Sequence, residues 1–371
     1  MSEFQFYEFQ AIDRTLSPED QKYVQSLSSR VKLTASHAQF LYNYGDFRGD
    51  PEKLLDRCFD IFVYVANFGV RQLMIRLPKD AIDVQVFAPY CVKNDIEVTI
   101  TNRSIILNIS ISQEAYYSWL EETNYTSNLL ALREEILQGD LRLLYLAWLA
   151  SGFTEDAQEK PENLIEPPIP ANLQKLSPAL QAFAELFQID PDLITAAAME
   201  SLMVPSKAEP IADWIAALPE SERNAYLLRV AQGETRVGTE LMQYLRQKFD
   251  KSSKAELISP GRSLAALIEI ADERCTIRQT NAKKATEIAR QKHLKTIAPK
   301  ADEIWREVHQ LIELKQAKPY EEAVASLVDL RDLAISQGNL LQFDDRITNL
   351  KRQYSSRSGL LTRLKRAGLT I

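Results

Sequence analysis

Between Phe4 and Ile12, aromatic or aliphatic residues alternate with polar ones, the period-two pattern of a half-buried strand. Ser17-Pro18-Glu19-Asp20 then supplies an N-cap, a proline at the first helical position and acids at the positive end of a helix. Asp50-Pro51 repeats that start signal. Leu54, Leu55, Cys58, Phe59, Phe62 and Val65 follow at helical spacing, up to Asn67-Phe68-Gly69. Residues 72–77 read as a short buried strand stopped by Pro78, and residues 80–90 as a helix. Residues 96–101 and 104–111 are strand-like runs joined through Asn102-Arg103 as a hairpin. The order, close to β-α-β-α-β-α-β-β, predicts an N-terminal α/β domain with a small mixed sheet.

From Glu114 onward the pattern is helical. Leu129, Leu130, Ile136, Leu137, Leu141, Leu144, Tyr145 and Trp148 mark two helices broken at Gln138-Gly139-Asp140. PENLIEPPIP, residues 161–170, holds four prolines and predicts an extended linker. Ser177-Pro178 and Asp190-Pro191 open short helices, and residues 214–249 read as three helices around Pro219 and Gly233. Residues 262–297 contain neither proline nor glycine and predict one long helix. Its 4-3-4-3 positions (264, 268, 271, 275, 278, 282, 285, 289) carry Leu, Ile, Ala, Cys, Arg, Ala, Ala and Ala. That is a weak coiled-coil seam, so a protruding helix is expected rather than a zipper. Further helices fall near 301–316, 320–337 and 340–354. The predicted class is α+β. The expected divisions are an α/β domain over 1–160, a linker over 161–170, a helical domain over 171–250, a long charged helix over 251–300, and a C-terminal helical bundle with a basic tail over 301–371.

A chain of 371 residues is long enough for two or three domains of about 100–200 residues each. No stretch approaches the ~20 uncharged apolar residues of a membrane helix, and the opening residues lack the order of a signal peptide. A cytoplasmic location is therefore expected. Cys58, Cys91 and Cys275 stand far apart without C-x-x-C, which predicts reduced thiols rather than disulfides or a zinc site. The net charge of −7 hides a division: residues 251–371 hold 22 basic and 15 acidic residues, the remainder 22 and 36. An acidic body with a basic appendage suggests binding to nucleic acid, to an acidic partner or to the chain's own acidic half.

Candidate chemistry is sparse. His37, His293 and His309 show no metal-ligand spacing, and no phosphate loop or nucleophile elbow is present. Neither metal nor cofactor is expected. Asp46 and Asp50, in the glycine-rich string 45–51, are the weak site candidates, since paired carboxylates can bind Mg²⁺ or share acid–base work. Asp50 before Pro51 reads first as an N-cap, and Asp46 as a turn residue. Arg346, Lys351, Arg352, Arg357, Arg363, Lys365 and Arg366 occur in residues 346–371 without one acid. They are the candidate contacts for a partner or for nucleic acid. With Leu360, Leu361 and Leu364 they also fit an amphipathic helix on an anionic surface.

The segments YEFQAIDR, YGDFRGDP, VYVANFG and RLP resemble the opening of a bacterial protein family with no established activity. EPPIP, WIAALPESERNAYLLRVAQGE, YEEAVASLVDLRDLA and RLKRAGL continue the resemblance along nearly the whole chain. Thr15 and Phe68 depart from the family's usual proline and tryptophan. The resemblance implies no catalytic residue or cofactor. It does imply gene neighbours encoding SWIM-type zinc-finger proteins, and hence a protein partner. Together these readings predict a non-enzymatic interaction or scaffold component of a bacterial multi-protein system, of undefined oligomeric state. The alternatives are a nucleic-acid accessory protein and an enzyme with a carboxylate site near Asp46 and Asp50.

Overall fold

A computed structural model of the chain describes residues 4–113, 125–154, 164–204, 210–234, 237–249, 259 and 261–369. The class is α+β. The chain divides into two compact units, Met1–Cys275 and Thr276–Ile371.

The first unit is built on seven strands and several helices. In chain order they begin β1 (Gln5–Gln10), α1 (Pro18–Leu27), β2 (Lys32–Leu33), β3 (His37–Tyr42), α2 (Pro51–Cys58), β4 (Ile61–Ala66) and β5 (Val70–Pro78). The hairpin β6 (Ile96–Ile100) and β7 (Ser104–Ser112) follows. The sheet runs β2-β3-β1-β4-β5-β7-β6, and every pairing in it is antiparallel. This corrects the expected mixed sheet. The β-α-β signals were real, but each pair of like-directed strands is split: β3 lies between β1 and β2, and β1 between β3 and β4. The crossover helices are present while no parallel ladder forms.

The helix expected from Pro51 up to Asn67-Phe68-Gly69 ends at Cys58, and Ile61–Ala66 is a strand. All six residues of β4 are buried, Ile61, Val63 and Val65 in one core and Phe62, Tyr64 and Ala66 in the other. A strand buried on both faces loses its alternation, so its apolar run continues the helical spacing before it. The helix expected over 80–90 is two 3-10 turns, Val84–Val86 and Ala88–Tyr90, because Pro89 cannot donate to an α ladder.

One face of the sheet packs on α3 (Tyr125–Leu137), α4 (Arg142–Ser151), α5 (Pro178–Leu186), α6 (Pro191–Ala198) and the first turns of the long helix. The other face packs on α1, α2 and the 43–49 loop through Phe9, Phe40, Phe59 and Phe62. Ser17, Asp50, Ser177 and Asp190, each before a proline, cap α1, α2, α5 and α6 as their sequence predicts. Three more helices belong to this unit, α7 (Ile211–Ala217), α8 (Glu220–Ala231) and α9 (Val237–Phe249), with α9 packed against both α7 and α8.

The proline-rich stretch does not mark the unit boundary. Residues 161–163 lie outside the described residues, and 164–170 pack inside the first unit. Glu166 N donates to Arg262 O at 2.8 Å and Leu264 N to Leu164 O at 2.8 Å, which fastens the stretch to the start of α10 (Leu264–Ile297). The boundary falls inside α10. All residues from 276 to 289 are exposed, as expected for a helix with a weak seam. The second unit packs the last turns of α10 with α11 (Ala301–Glu313), α12 (Ala317–Gln337), α13 (Leu340–Gln353) and α14 (Ser358–Arg366). Trp305, Val308, Leu327, Ile347 and Leu360 form its core.

Candidate interaction surfaces

The signature segments of the N-terminal half converge on buried polar groups, and these are bound by partners within the fold. Glu8 on β1 is fully buried. It accepts from His37 Nε2 at 2.8 Å, Gln39 Nε2 at 3.0 Å and the Thr126 N–H at 2.9 Å, placing a carboxylate on the first turn of α3. Asp60 accepts from the N–H groups of Ile12 (2.7 Å) and Asp13 (3.2 Å) and pairs with Arg76. Arg133 on α3 grips Asp13 with two nitrogens, at 3.1 and 2.7 Å, and lies 3.7 Å from Asp60. Burial alone would push the Asp60 carboxyl up, but Arg76, Arg133 and the two N–H groups hold it below the ordinary aspartate range. A third buried set joins Glu166 to the Tyr145 hydroxyl and to Arg262 at 2.7 and 2.8 Å. Burial, then Glu166, pushes the Tyr145 phenol far up. All three sets tie segments distant in sequence.

Asp46 and Asp50 serve separate tasks. Asp50 accepts from the Glu52 and Lys53 N–H groups, both at 3.1 Å, and holds Lys53 Nζ at 3.0 Å. Burial opposes its ionisation, but the Lys53 contacts and the Glu52 N–H lower it overall. Asp46 accepts from Gln5 Nε2 at 3.2 Å, and Gln5 in turn accepts from the hydroxyls of Tyr7 (2.7 Å) and Tyr64 (2.9 Å). Between the two aspartates, Phe47 stacks on Tyr7 at 5.2 Å. A Cβ on Gly49 would stand 2.8 Å from that ring, so the string's second glycine is a packing requirement.

His37 is held by Glu8, His293 lies 3.0 Å from Asp329, and His309 lies 3.1 Å from the Tyr354 hydroxyl. Burial, then Asp20, pushes the Cys58 thiol up to about 12, and burial raises that of Cys91. Both are poor nucleophiles. Among the described residues no cluster of three or more His, Cys, Asp or Glu is arranged to hold a metal.

Much of the basic tail is engaged within the second unit. Arg346 lies 4.4 Å over the Trp305 ring and 3.1 Å from Asp302. Arg357 pairs with Glu313 at 2.8 Å, and Arg363 with Glu321 at 3.2 Å. Lys351 is half-buried, and burial lowers its pKa. Arg352, Lys365 and Arg366 are exposed and have no ion-pair partner among the described residues.

The surface without a signal in the sequence is α8. It buries none of its residues, while Leu227, Leu228 and Val230 are 64%, 58% and 59% exposed. Its polar residues fix it to α9: Arg229 reaches Glu240 at 2.5 Å, and Glu222 takes Tyr244 at 2.9 Å and Lys248 at 3.0 Å. A second apolar area lies beside α6, where Leu173, Leu176, Ile194, Ala198 and Met199 line a cleft of about 540 Å³. No helix among the described residues is long and apolar enough to cross a membrane. No family model, curated protein or solved structure matches the chain.

Proposed function

We propose that this protein is a non-enzymatic docking component that binds a protein partner through the apolar face of α8. One observation carries the reading: three large aliphatic side chains stand in water on a helix tied to α9 through charged and tyrosine side chains. A twelve-residue helix is marginal alone, and burying each of the three would return about 1.5–3 kcal/mol. A partner surface is where that energy is recovered. The titratable groups support the same reading, because the buried carboxylates meet arginines, amides and backbone donors within the fold.

The zinc-finger proteins suggested by the family resemblance are the first partners to test. Calorimetric titration of the whole chain with such a protein is expected to show one-to-one binding. Leu227→Ser with Leu228→Ser should remove it while leaving the circular dichroism and melting temperature unchanged. Equal affinity of the double variant sinks the α8 reading.

A second reading rests on Arg352, Lys365 and Arg366, which remain available for phosphates. Nucleic-acid binding through them has a shallow salt dependence, a log–log slope near −3 for three contacts, where all seven would give about −6.

A further inference from the structure

β6 closes one end of the sheet. Thr101 N donates to Ser104 O at 2.9 Å and Ser110 N to Asp95 O at 2.8 Å. With the register running from Ile96↔Ile109 to Ile100↔Ile105, the odd-numbered residues of β6 turn their backbone groups to β7 and the even-numbered ones away. Ile96 finds its outward partner in Val92, through bonds of 3.2 and 2.8 Å. Val98 and Ile100 have no such neighbour, and their N–H and C=O groups make no hydrogen bond among the described residues. The opposite end of the sheet is blunted by β2, which covers β3 at Ala38 and Gln39.

The side chains beside this open edge differ by face. Val98 packs against the core and Ile100 continues that apolar line, 55% exposed. On the other face Glu97 and Thr99 are exposed, and Glu52 of α2 stands near them. Burial raises the Glu52 carboxyl, and Asp50, Asp56 and Glu97 add to the rise, which marks a crowded negative field. Lys53 is already committed to Asp50 at 3.0 Å. Lys93 and Arg103 stand beyond the two ends of the strand, leaving its middle as the complementary position.

We propose that the free edge of β6 receives an extended segment of a partner protein that alternates apolar with lysine or arginine residues, adding an eighth strand. Backbone bonds to Val98 and Ile100 supply the pairing. The apolar positions lie beside Ile100, and the basic ones beside Glu97 and Glu52. A second copy of the chain fits less well, because pairing β6 with itself gathers the carboxylates of both copies on one face. This edge is separate from the α8 surface, and either stands without the other.

The test is fluorescence anisotropy of the full chain with a labelled eight-residue peptide of alternating valine and lysine, against one of valine and glutamate. The lysine peptide is expected to bind roughly tenfold tighter, an advantage lost at high salt. Glu97→Lys should invert the preference. The same lysine peptide N-methylated at every second residue should lose binding, as should the wild-type peptide with Val98→Pro. That substitution costs the sheet no ladder bond, since the Val98 N–H faces away from β7, and the circular dichroism of the variant checks that the lost Val98 packing leaves the fold intact. Binding of the N-methylated peptide equal to that of its parent overturns the proposal, and so does equal affinity for both charge types or for neither peptide. Self-association in sedimentation that Val98→Pro abolishes would overturn it in favour of a homodimer edge.

Discussion

α4 and α8 are helices of similar length, ten and twelve residues, in the same unit, and they hold their shape by opposite means. Nine residues of α4 are buried, with Trp148 and Tyr145 inside the sheet-facing core, and its N-terminus has no side-chain cap. α8 has no buried residue, and side-chain pairs to α9 and the loop before it fix its place. The first helix is held by packing, which is cooperative and intolerant of change. The second is held by solvent-exposed side-chain pairs, which are weak and screened, and its apolar residues are left uncovered.

The contrast can be broken most severely at Trp148, where replacement by alanine should cost the first unit about 3–5 kcal/mol in urea unfolding. A loss under about 1 kcal/mol would mean that α4 is not the anchor described. Asp60→Asn comes next, at about 3 kcal/mol, because Arg76 and Arg133 lose their buried counter-charge. Its pH dependence has a definite sign. A carboxyl depressed in the folded state contributes fully above its ordinary value and loses that contribution as pH falls through the folded one. The gap between wild type and Asp60→Asn should therefore close on acidification, and an unchanged gap at pH 2–3 would show that the pairing is not its source. Ser17→Ala removes the α1 cap and should cost about 1 kcal/mol, read in the same unfolding experiment. Leu227→Ser should be the mildest, within about 0.5 kcal/mol, since it exposes nothing new. A larger loss would place Leu227 in the chain's own core.

Helix starts were the most legible part of the sequence. Ser17-Pro18, Asp50-Pro51, Ser177-Pro178 and Asp190-Pro191 all begin helices, because capping and a preset φ act within three residues. β4 was not legible, since Ile61–Ala66 faces two cores and shows no alternation. Antiparallel pairing was hidden for another reason: inserting β1 between β3 and β4 is a long-range choice without a local signal. The buried ties of Glu8, Asp60 and Glu166 join residues 118, 73 and 96 apart. They look like ordinary surface acids in the sequence. Asp50's capping role could be read, and the structure bears it out. The α8 face could not. Tyr226, Leu227, Leu228 and Val230 have the same spacing whether their cover comes from this chain or from another.

That face has a consequence for the cell. If α8 docks a partner as proposed, a chain made in excess of that partner would display Leu227, Leu228 and Val230 to chaperones and proteases, which recognise exposed aliphatic side chains. Because α8 buries none of its residues, its local opening costs little, and degradation could begin there with the sheet still intact. The protein's abundance would then follow that of its partner, and stoichiometry would be set by turnover without any dedicated regulator.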